Sequence, residues 1–177
     1  MTASGEAEIP EAGAIVVRDA RPEELSGVAD LVLAAYEDFM TELSQDFAVA
    51  FEDSLNRVLL REENEVLVAE AAGRVVGTVA LYRGGAPYGG ETLPPSWAAM
   101  RLLAVLPGSR RRGVGRALTL ECIRRARDRH LSAILLHTLP SMAAARAMYD
   151  GLGFLRMPEL DATLAPEVKV LAYRLDL

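Results

Sequence analysis

The segment from Leu103 to Leu118 is the feature that most constrains how this 177-residue chain folds. Its apolar run ends at Pro107, three consecutive arginines follow, and Gly113 opens a stretch with helical periodicity. One face of that stretch carries small or apolar residues spaced by four: Val114, Leu118, Cys122 and Ala126. The pattern predicts a buried strand, a tight turn and an amphipathic helix that begins at the glycines.

The turn between this strand and helix suits a phosphate group. Backbone N–H groups at a helix start have no intrahelical partner, and the helix dipole adds about half a positive charge there. Arg110, Arg111 and Arg112 add formal charge, and glycine at 113 and 115 lets a ligand approach the backbone because no Cβ atom intervenes. The chain lacks a P-loop, and its GxG lacks the third glycine of the dinucleotide fingerprint. These features indicate a phosphate-containing ligand of another class.

Charge is segregated along the chain, whose net charge is −6. This balance argues against general binding to nucleic acid. Residues 101–130 nevertheless hold nine arginines and two acids, whereas residues 36–70 hold ten acids and two arginines. The basic region favours a compact polyanionic ligand. The acidic region is either a surface for a cationic second ligand or a set of solvated helix faces.

Composition points to a soluble, cytoplasmic protein. No stretch approaches the roughly 18–20 apolar residues that span a bilayer, and the acidic start of the chain does not resemble a secretory signal. The single cysteine, Cys122, excludes internal disulfides, and its place on an apolar helix face predicts a buried, unreactive thiol. We expect residues 1–13 to be a flexible tail and residues 14–177 to be one domain. The excess of arginine over lysine and the many alanines indicate a GC-rich, bacterial genome.

Strands and helices alternate along the predicted domain. Strands are predicted at 14–20, 65–71, 74–83, 97–107, 132–139 and 168–176, and helices at 22–38, 44–61, 113–130 and 141–152. Residues 84–96 are predicted to form a Gly- and Pro-rich loop, long enough to be a functional lid or a substrate loop. The order β-α-α-β-β-β-α-β-α-β predicts an α/β fold with a mixed sheet and helices on its faces.

Two motifs occur in a known order and separation. Residues 110–115 read Arg-x-x-Gly-x-Gly after a strand and a proline, and a strand ending at Thr138 precedes A-x-x-x-Y-x-x-x-G-F. The second motif is matched by Ala145, Tyr149, Gly153 and Phe154. In both, the chain resembles the GNAT superfamily of acyl-CoA-dependent N-acetyltransferases, from about residue 14 to 177. The resemblance implies a central, mostly antiparallel sheet that is splayed at a cofactor cleft.

The resemblance also implies where acetyl-CoA binds. The cofactor would lie where strands 97–106 and 132–138 part, with its pantetheine arm paired to the backbone of Leu103 and Val105 as an added strand. Residues 110–116 would wrap the pyrophosphate. The implied cofactor-binding residues are Leu103, Ala104, Val105, Arg110, Arg111, Arg112, Gly113, Val114, Gly115 and Arg116.

The same resemblance implies direct attack of an amine on the thioester. The backbone N–H near Val105 would polarise the carbonyl, and Tyr149 would protonate the departing thiolate as general acid. Many members of the family carry a basic glutamate near the position of Ala99, where this strand has no acid. Glu91, on the loop, is therefore the candidate general base. The family's frequent asparagine is Met142 here.

Aromatic residues border the acceptor side in this family. Tyr36, Asp38, Phe39 and Tyr88 are the candidate substrate residues, and with Glu42 and Asp46 nearby they would form an aromatic and acidic pocket for a cationic amine. The alternative is that the aromatic residues are core and the acids surface. That alternative is favoured for the rest of the aromatic set: Phe47, Phe51 and Trp97.

The sequence favours an N-acetyltransferase that acts on the primary amine of a small molecule. A protein lysine or N-terminal amine is the second candidate acceptor, and a non-catalytic acyl-CoA-binding sensor module is the alternative of another class. With two histidines and no acids paired at ligand spacing, no metal site is expected. His137 is expected to be a hydrogen-bonded structural residue and Ser141 a helix N-cap. No nucleic-acid or membrane partner is expected, and a homodimer is possible in this family.

Overall fold

A computed structural model describes residues 14–40, 45–61, 64–88, 91–166 and 168–177. The tail predicted at residues 1–13 lies outside these ranges, as does Glu42 of the candidate acceptor pocket. The side chains of Asp46 and Glu91 are also outside the described part of the chain.

The described chain forms four α-helices and ten strands. The helices are α1 (Leu25–Met40), α2 (Gln45–Leu59), α3 (Val114–Asp128) and α4 (Ala143–Gly151). The strands are β1 (Val16–Asp19), β2 (Glu65–Ala71), β3 (Arg74–Tyr82), β4 (Pro87–Tyr88), β5 (Glu91–Thr92), β6 (Trp97–Val105), β7 (Ala133–Thr138), β8 (Leu155–Arg156), β9 (Ala162–Ala165) and β10 (Val168–Asp176). Three short 3-10 turns (Pro22–Glu24, Pro107–Ser109 and Pro158–Leu160) each begin with proline, whose fixed φ suits a first helical position.

One sheet organises these elements, in the order β1-β2-β3-β6-β7-β10-β8, with β9 paired to β10. Only β6 and β7 run parallel among its described pairs, so the mixed, mostly antiparallel sheet predicted from the sequence is confirmed. The pattern missed β4, β5, β8 and β9, because strands of two to four residues are too short to show alternation. The loop predicted at 84–96 contains the β4–β5 hairpin. The N-cap of α4 is Met142 and not the predicted Ser141.

Helices cover both faces of the sheet. On one face α1 and α2 pack against the sheet through a buried cluster that includes Val32 and Leu55. On the other face α3 and α4 pack through a second cluster that includes Leu118, Cys122 and Tyr149. The predicted stripe of α3 is confirmed, because Val114, Leu118, Cys122 and Ala126 are all buried.

The two parallel strands, β6 and β7, separate halfway along β6. They pair from Trp97 with Ala133 to Met100 with Leu136, and no farther. Beyond that point β6 stays paired with β3 but carries a bulge, because the register shifts between Thr78 and Ala80. Leu102 adopts a left-handed φ of +57° in this bulge. Bulges increase local twist, and the sheet opens into a V at this position.

Arg125 joins three elements on the α3 side of the sheet. Its guanidinium lies 2.7 Å from Asp19 of β1, 2.9 Å from Glu65 of β2 and 2.9 Å from Glu121 of its own helix. Hydrogen bonds from Arg124 and then from Arg125 outweigh burial and lower the pKa of Glu121 to about 2. The cluster therefore stabilises the fold where its carboxylates are ionised.

Replacing Arg125 tests this cluster. Arg125→Met is expected to lower the free energy of unfolding by about 2 kcal/mol at pH 7, because Asp19 loses its arginine partner and Glu65 and Glu121 each lose one of theirs. Arg127→Gln, which removes an exposed cation of the same helix that lies outside the cluster, is the control and should cost less than about 1 kcal/mol.

The effect of Arg125→Met should also depend on pH. A carboxyl with a depressed pKa contributes stability above its unfolded value and loses it as the pH falls through the folded value. Arg125 is the largest cause of the lowered pKa of Asp19, so the gap between wild type and Arg125→Met should shrink as the pH falls below the ordinary aspartate value of 3.8. Urea unfolding at several pH values measures the gap, and a constant gap down to the lowest pH would contradict this assignment.

Candidate active site

The V between β6 and β7 opens into a cavity of about 640 Å³, here named the cleft. Its walls come from the second half of β6, the turn after it, the first turn of α3, the end of α1 and the start of α4. Nine of the ten residues predicted to bind the cofactor line it: Leu103, Ala104, Val105, Arg110, Arg111, Gly113, Val114, Gly115 and Arg116. Arg112 does not line it.

The turn at the mouth of the cleft presents backbone donors. Arg111 and Gly113 have left-handed φ angles of +60° and +81°, and such residues turn successive N–H groups towards one side. Gly113 is the N-cap of α3, and no side chain caps it. The N–H groups of residues 113–116 have no backbone acceptor within the described chain. Together with the helix dipole, these donors form an anion-binding site.

The arginines of the turn serve different purposes. Arg110 donates 2.8 Å to the carbonyl oxygen of Ala35 and lies 3.5 Å from the carboxylate of Asp38, so it ties the turn to the end of α1. Arg111 and Arg116 line the cleft and form no ion pair with any described residue. These two cations are therefore available to an anionic ligand.

Side chains already contact the β6 carbonyl groups that face the cleft. The hydroxyl of Tyr36 donates 3.2 Å to the oxygen of Leu103, and Nε of Arg110 donates 3.4 Å to the oxygen of Val105. Burial raises the pKa of Tyr36 to about 12, so this hydroxyl keeps its proton. Each carbonyl oxygen has two lone pairs, and one remains for a ligand that lies along β6.

A second cavity of about 290 Å³, here named the side cavity, adjoins the cleft. The two cavities share Tyr36 and Met142. The side cavity is lined by aromatic and aliphatic residues of α1, α2, β4, β6, β7, β9 and β10. The one charged residue in its described lining is Arg101 of β6.

The predicted acceptor residues divide between these cavities. Tyr36 and Tyr88 line the side cavity, whereas Phe39 lines the cleft. Asp38 lines neither cavity, and its carboxylate lies 3.5 Å from the guanidinium of Arg110. Because Glu42 and the side chain of Asp46 lie outside the described residues, the aromatic and acidic pocket stays a prediction.

Phe47 and Phe51, which were expected in the core, line the side cavity, and Phe51 also packs against the buried cluster beneath α1 and α2. Arg101 was not predicted to be a site residue, although it is the one charged residue in the apolar run WAAMRLLAV. That isolation was the signal, since burying a charge without a partner costs free energy. Trp97 lines neither cavity and has Arg174 over its ring at 5.3 Å.

His137 lies in the wall of the side cavity, held through both ring nitrogens. Nε2 lies 2.8 Å from the oxygen of Leu160 and must donate to it, so Nδ1 is left to accept from the hydroxyl of Tyr88 at 3.2 Å. That hydroxyl also lies 3.3 Å from the oxygen of Met100. Burial lowers the pKa of His137, so the ring is neutral. The prediction of a hydrogen-bonded structural histidine is confirmed.

Tyr149, the candidate general acid, is buried and lines neither cavity. Its ring packs 5.6 Å from that of Phe154 and 6.3 Å from that of Tyr173. Its hydroxyl forms no hydrogen bond with a described residue, and burial raises its pKa. Glu91, the candidate base, is opposite Tyr88 in the β4–β5 pair.

Residues 29–154 match the acetyltransferase (GNAT) family model. This match spans well over half of the chain. The chain belongs to the GNAT family. It is therefore an acyltransferase, and acetyl-CoA is the acyl donor that this family uses. A search of the curated proteins finds no match.

Solved GNAT structures share the fold. An acetyltransferase of the family from Staphylococcus aureus superposes with a TM-score of 0.70 at 17% identity, covering 93% of this chain and 99% of that chain. The PaiA N-acetyltransferase of Thermoplasma acidophilum, in complex with coenzyme A, gives 0.68 at 14% identity, covering 90% and 98%. A ribosomal-protein-alanine N-acetyltransferase from Brucella melitensis gives 0.62 at 22% identity, covering 92% and 99%.

Three observations on the described residues concern metal sites, membrane-spanning helices and a cysteine nucleophile. Among them, no group of three or more His, Cys, Asp or Glu side chains could hold a metal ion. None of the described helices is long and apolar enough to cross a membrane. Cys122 is fully buried, and burial raises the pKa of its thiol, so it does not provide a nucleophile.

The reactivity of Cys122 checks this packing. In the folded protein its thiol should react with a soluble disulfide reagent at least roughly 100-fold more slowly than in the urea-unfolded chain, because reaction requires local unfolding. Absorbance of the released thiolate measures both rates. Similar rates in the two states would show that α3 does not pack against the sheet as described.

Proposed function

We propose that this GNAT enzyme transfers the acetyl group of acetyl-CoA directly to the primary amine of a small molecule. The observation that carries the proposal is the junction of two cavities at the V, with Tyr36 and Met142 common to both. The cleft provides room for an elongated, phosphorylated donor. The side cavity provides room for an acceptor whose amine reaches the donor where the cavities meet.

The cleft has the groups that the donor needs. Acetyl-CoA contributes an activated acyl group, held as a thioester on a long arm that ends in phosphates. The free N–H groups of residues 113–116, with Arg111 and Arg116, suit the pyrophosphate. The diverging half of β6 has an edge no longer paired with β7, which suits the arm as an added strand.

The reaction needs one proton acceptor and one proton donor. The amine nitrogen bonds to the thioester carbon and loses a proton, while the carbon–sulfur bond breaks and the sulfur takes up a proton. Tyr149 is the proposed donor, because burial keeps its hydroxyl protonated and no described residue competes for that proton. Ala99 offers no base on β6, so Glu91, whose backbone pairs with Tyr88, is the proposed acceptor of the amine proton.

The shape of the side cavity supports a small acceptor. Seven elements contribute to its wall, and its volume of about 290 Å³ lies near the lower end of ordinary small-molecule sites. A protein lysine or N-terminal amine remains the second candidate acceptor.

Glycine variants in the turn at the mouth of the cleft test the binding of acetyl-CoA. Gly113 has a φ of +81°, so Gly113→Ala strains the αL conformation by about 1–2 kcal/mol. Relief of that strain would turn the N–H groups away, and we expect the affinity for acetyl-CoA to fall about tenfold. Gly108→Ala, in the same turn with open space around its Cβ position, is the control.

Isothermal titration calorimetry with acetyl-CoA measures both glycine variants. Equal affinities in the two would remove the turn from the donor site. The absence of binding to folded wild type would overturn the acetyl-CoA assignment for this chain.

The Tyr149→Phe variant tests catalysis. Its hydroxyl has no described hydrogen-bond partner, so phenylalanine should preserve the ring packing against Phe154 and change stability by less than about 1 kcal/mol. Turnover should fall about 100-fold or more if Tyr149 donates the proton, while acetyl-CoA affinity is unchanged. Release of free coenzyme A with a panel of amines measures turnover, and wild-type rates in the variant would assign the proton to another group.

A further inference from the structure

Arg101 is the one charged residue in the described lining of the side cavity. It is half-buried on β6, directly after Met100, the last β6 residue that pairs with β7. No described residue forms an ion pair or hydrogen bond with its guanidinium. Arg101 lines the side cavity, and its nitrogen atoms are not among the buried polar atoms that lack a partner, so they are accessible.

The polar groups near Arg101 provide no countercharge. The hydroxyl of Tyr36 is bound to the oxygen of Leu103, and the ring of His137 is bound at both nitrogens. The hydroxyl of Tyr88 contacts the oxygen of Met100. The positive charge of Arg101 nevertheless acts to lower the pKa of Tyr36, Tyr88 and His137, which come from three different elements around the cavity. An unmatched guanidinium in such surroundings is a binding group for an anion supplied from outside.

We propose that the acceptor is an amine that also bears a carboxylate, which pairs with Arg101, and an apolar body that fills the side cavity. An aromatic or branched-chain α-amino acid has this chemistry. The inference rests on the proposed function and names its acceptor class. A polyamine would bring a second positive charge towards Arg101 and find no carboxylate in the described lining.

The volume of the side cavity and the position of Arg101 agree with an aromatic or branched-chain α-amino acid as acceptor. About 290 Å³ corresponds to roughly ten water-sized volumes of about 30 Å³, which is the scale of one such amino acid. Tyr36 and Phe51, with ring centroids 5.7 Å apart, offer an aromatic wall to its side chain. In an α-amino acid one carbon separates the carboxylate from the amine. A carboxylate held by Arg101, where β6 leaves β7, therefore keeps the amine near the junction with the cleft.

Transfer to this acceptor is balanced by the groups already described. The α-nitrogen bonds to the acetyl carbon and loses one proton, the carbon–sulfur bond breaks, and coenzyme A leaves as its thiol. The products are an N-acetyl amino acid and free coenzyme A. The carboxylate takes no part in bond making, so Arg101 acts on binding.

The test compares L-phenylalanine and L-leucine with their carboxamides, which differ only in the anionic group. The α-amine of the amides has a pKa near 8, lower than that of the free amino acids, so intrinsic reactivity favours the amides. A preference for the amino acids must therefore come from the protein. The variants are Arg101→Gln and, as the control for loss of one charge, Arg127→Gln on the exposed face of α3.

We expect Arg101→Gln to raise the KM for the amino acids roughly 10- to 100-fold, the value of a charged hydrogen-bonded pair. The KM for the amides should stay within about twofold. Arg127→Gln should match wild type with both. Because Arg101 does not line the cleft, acetyl-CoA affinity should also be unchanged, which confirms that the variant is folded.

Direct calorimetric binding of L-phenylalanine separates this inference from the proposed function. If the wild type turns over amides as well as amino acids, or Arg101→Gln leaves the ratio unchanged, the inference fails and the acetyltransferase stands. If no amine is turned over but L-phenylalanine binds and Arg101→Gln abolishes binding, the proposed function fails and the carboxylate site stands. If L-phenylalanine neither binds nor reacts, the inference is overturned.

Discussion

Both cavities depend on the separation of β6 from β7. The two strands pair in parallel only to Met100 and Leu136, and the bulge around Leu102 then directs the rest of β6 away. A sheet interior normally leaves no room for a ligand, because adjacent strands lie about 4.8 Å apart. Parting them in mid-sheet leaves backbone groups without a strand partner. It also opens a gap that reaches from one face to the other.

Helix α1 fixes the shape of this gap. Tyr36 donates to the oxygen of Leu103, and the carbonyl of Ala35 accepts from Arg110. These two contacts join the helix, the strand and the phosphate-binding turn within one turn of helix. Since Tyr36 borders both cavities, the residue that ties α1 to β6 also stands at the place where donor and acceptor are proposed to meet.

Pairing, more than net charge, separates structural arginines from those available to ligands. Arg125 has three carboxylate partners, and Arg110 is held by the end of α1. Arg111 and Arg116 at the cleft and Arg101 in the side cavity have none among the described residues. The nine arginines of residues 101–130 therefore divide into cross-links of the fold, solvated cations and binding groups.

The sequence by itself determined the strand–turn–helix at 103–118, the buried stripe of α3 and the mixed sheet, because glycine, proline and apolar periodicity act locally. It also carried both motifs of the GNAT resemblance. Only the tertiary structure decided whether Asp38 and Arg101 have a charged partner. Asp38 meets Arg110 from a distant part of the chain, and Arg101 lacks a partner because of what surrounds it. The partners of a charged side chain come from elements that are distant in the sequence. A local sequence pattern therefore does not show whether the elements that pack around the charge provide a countercharge.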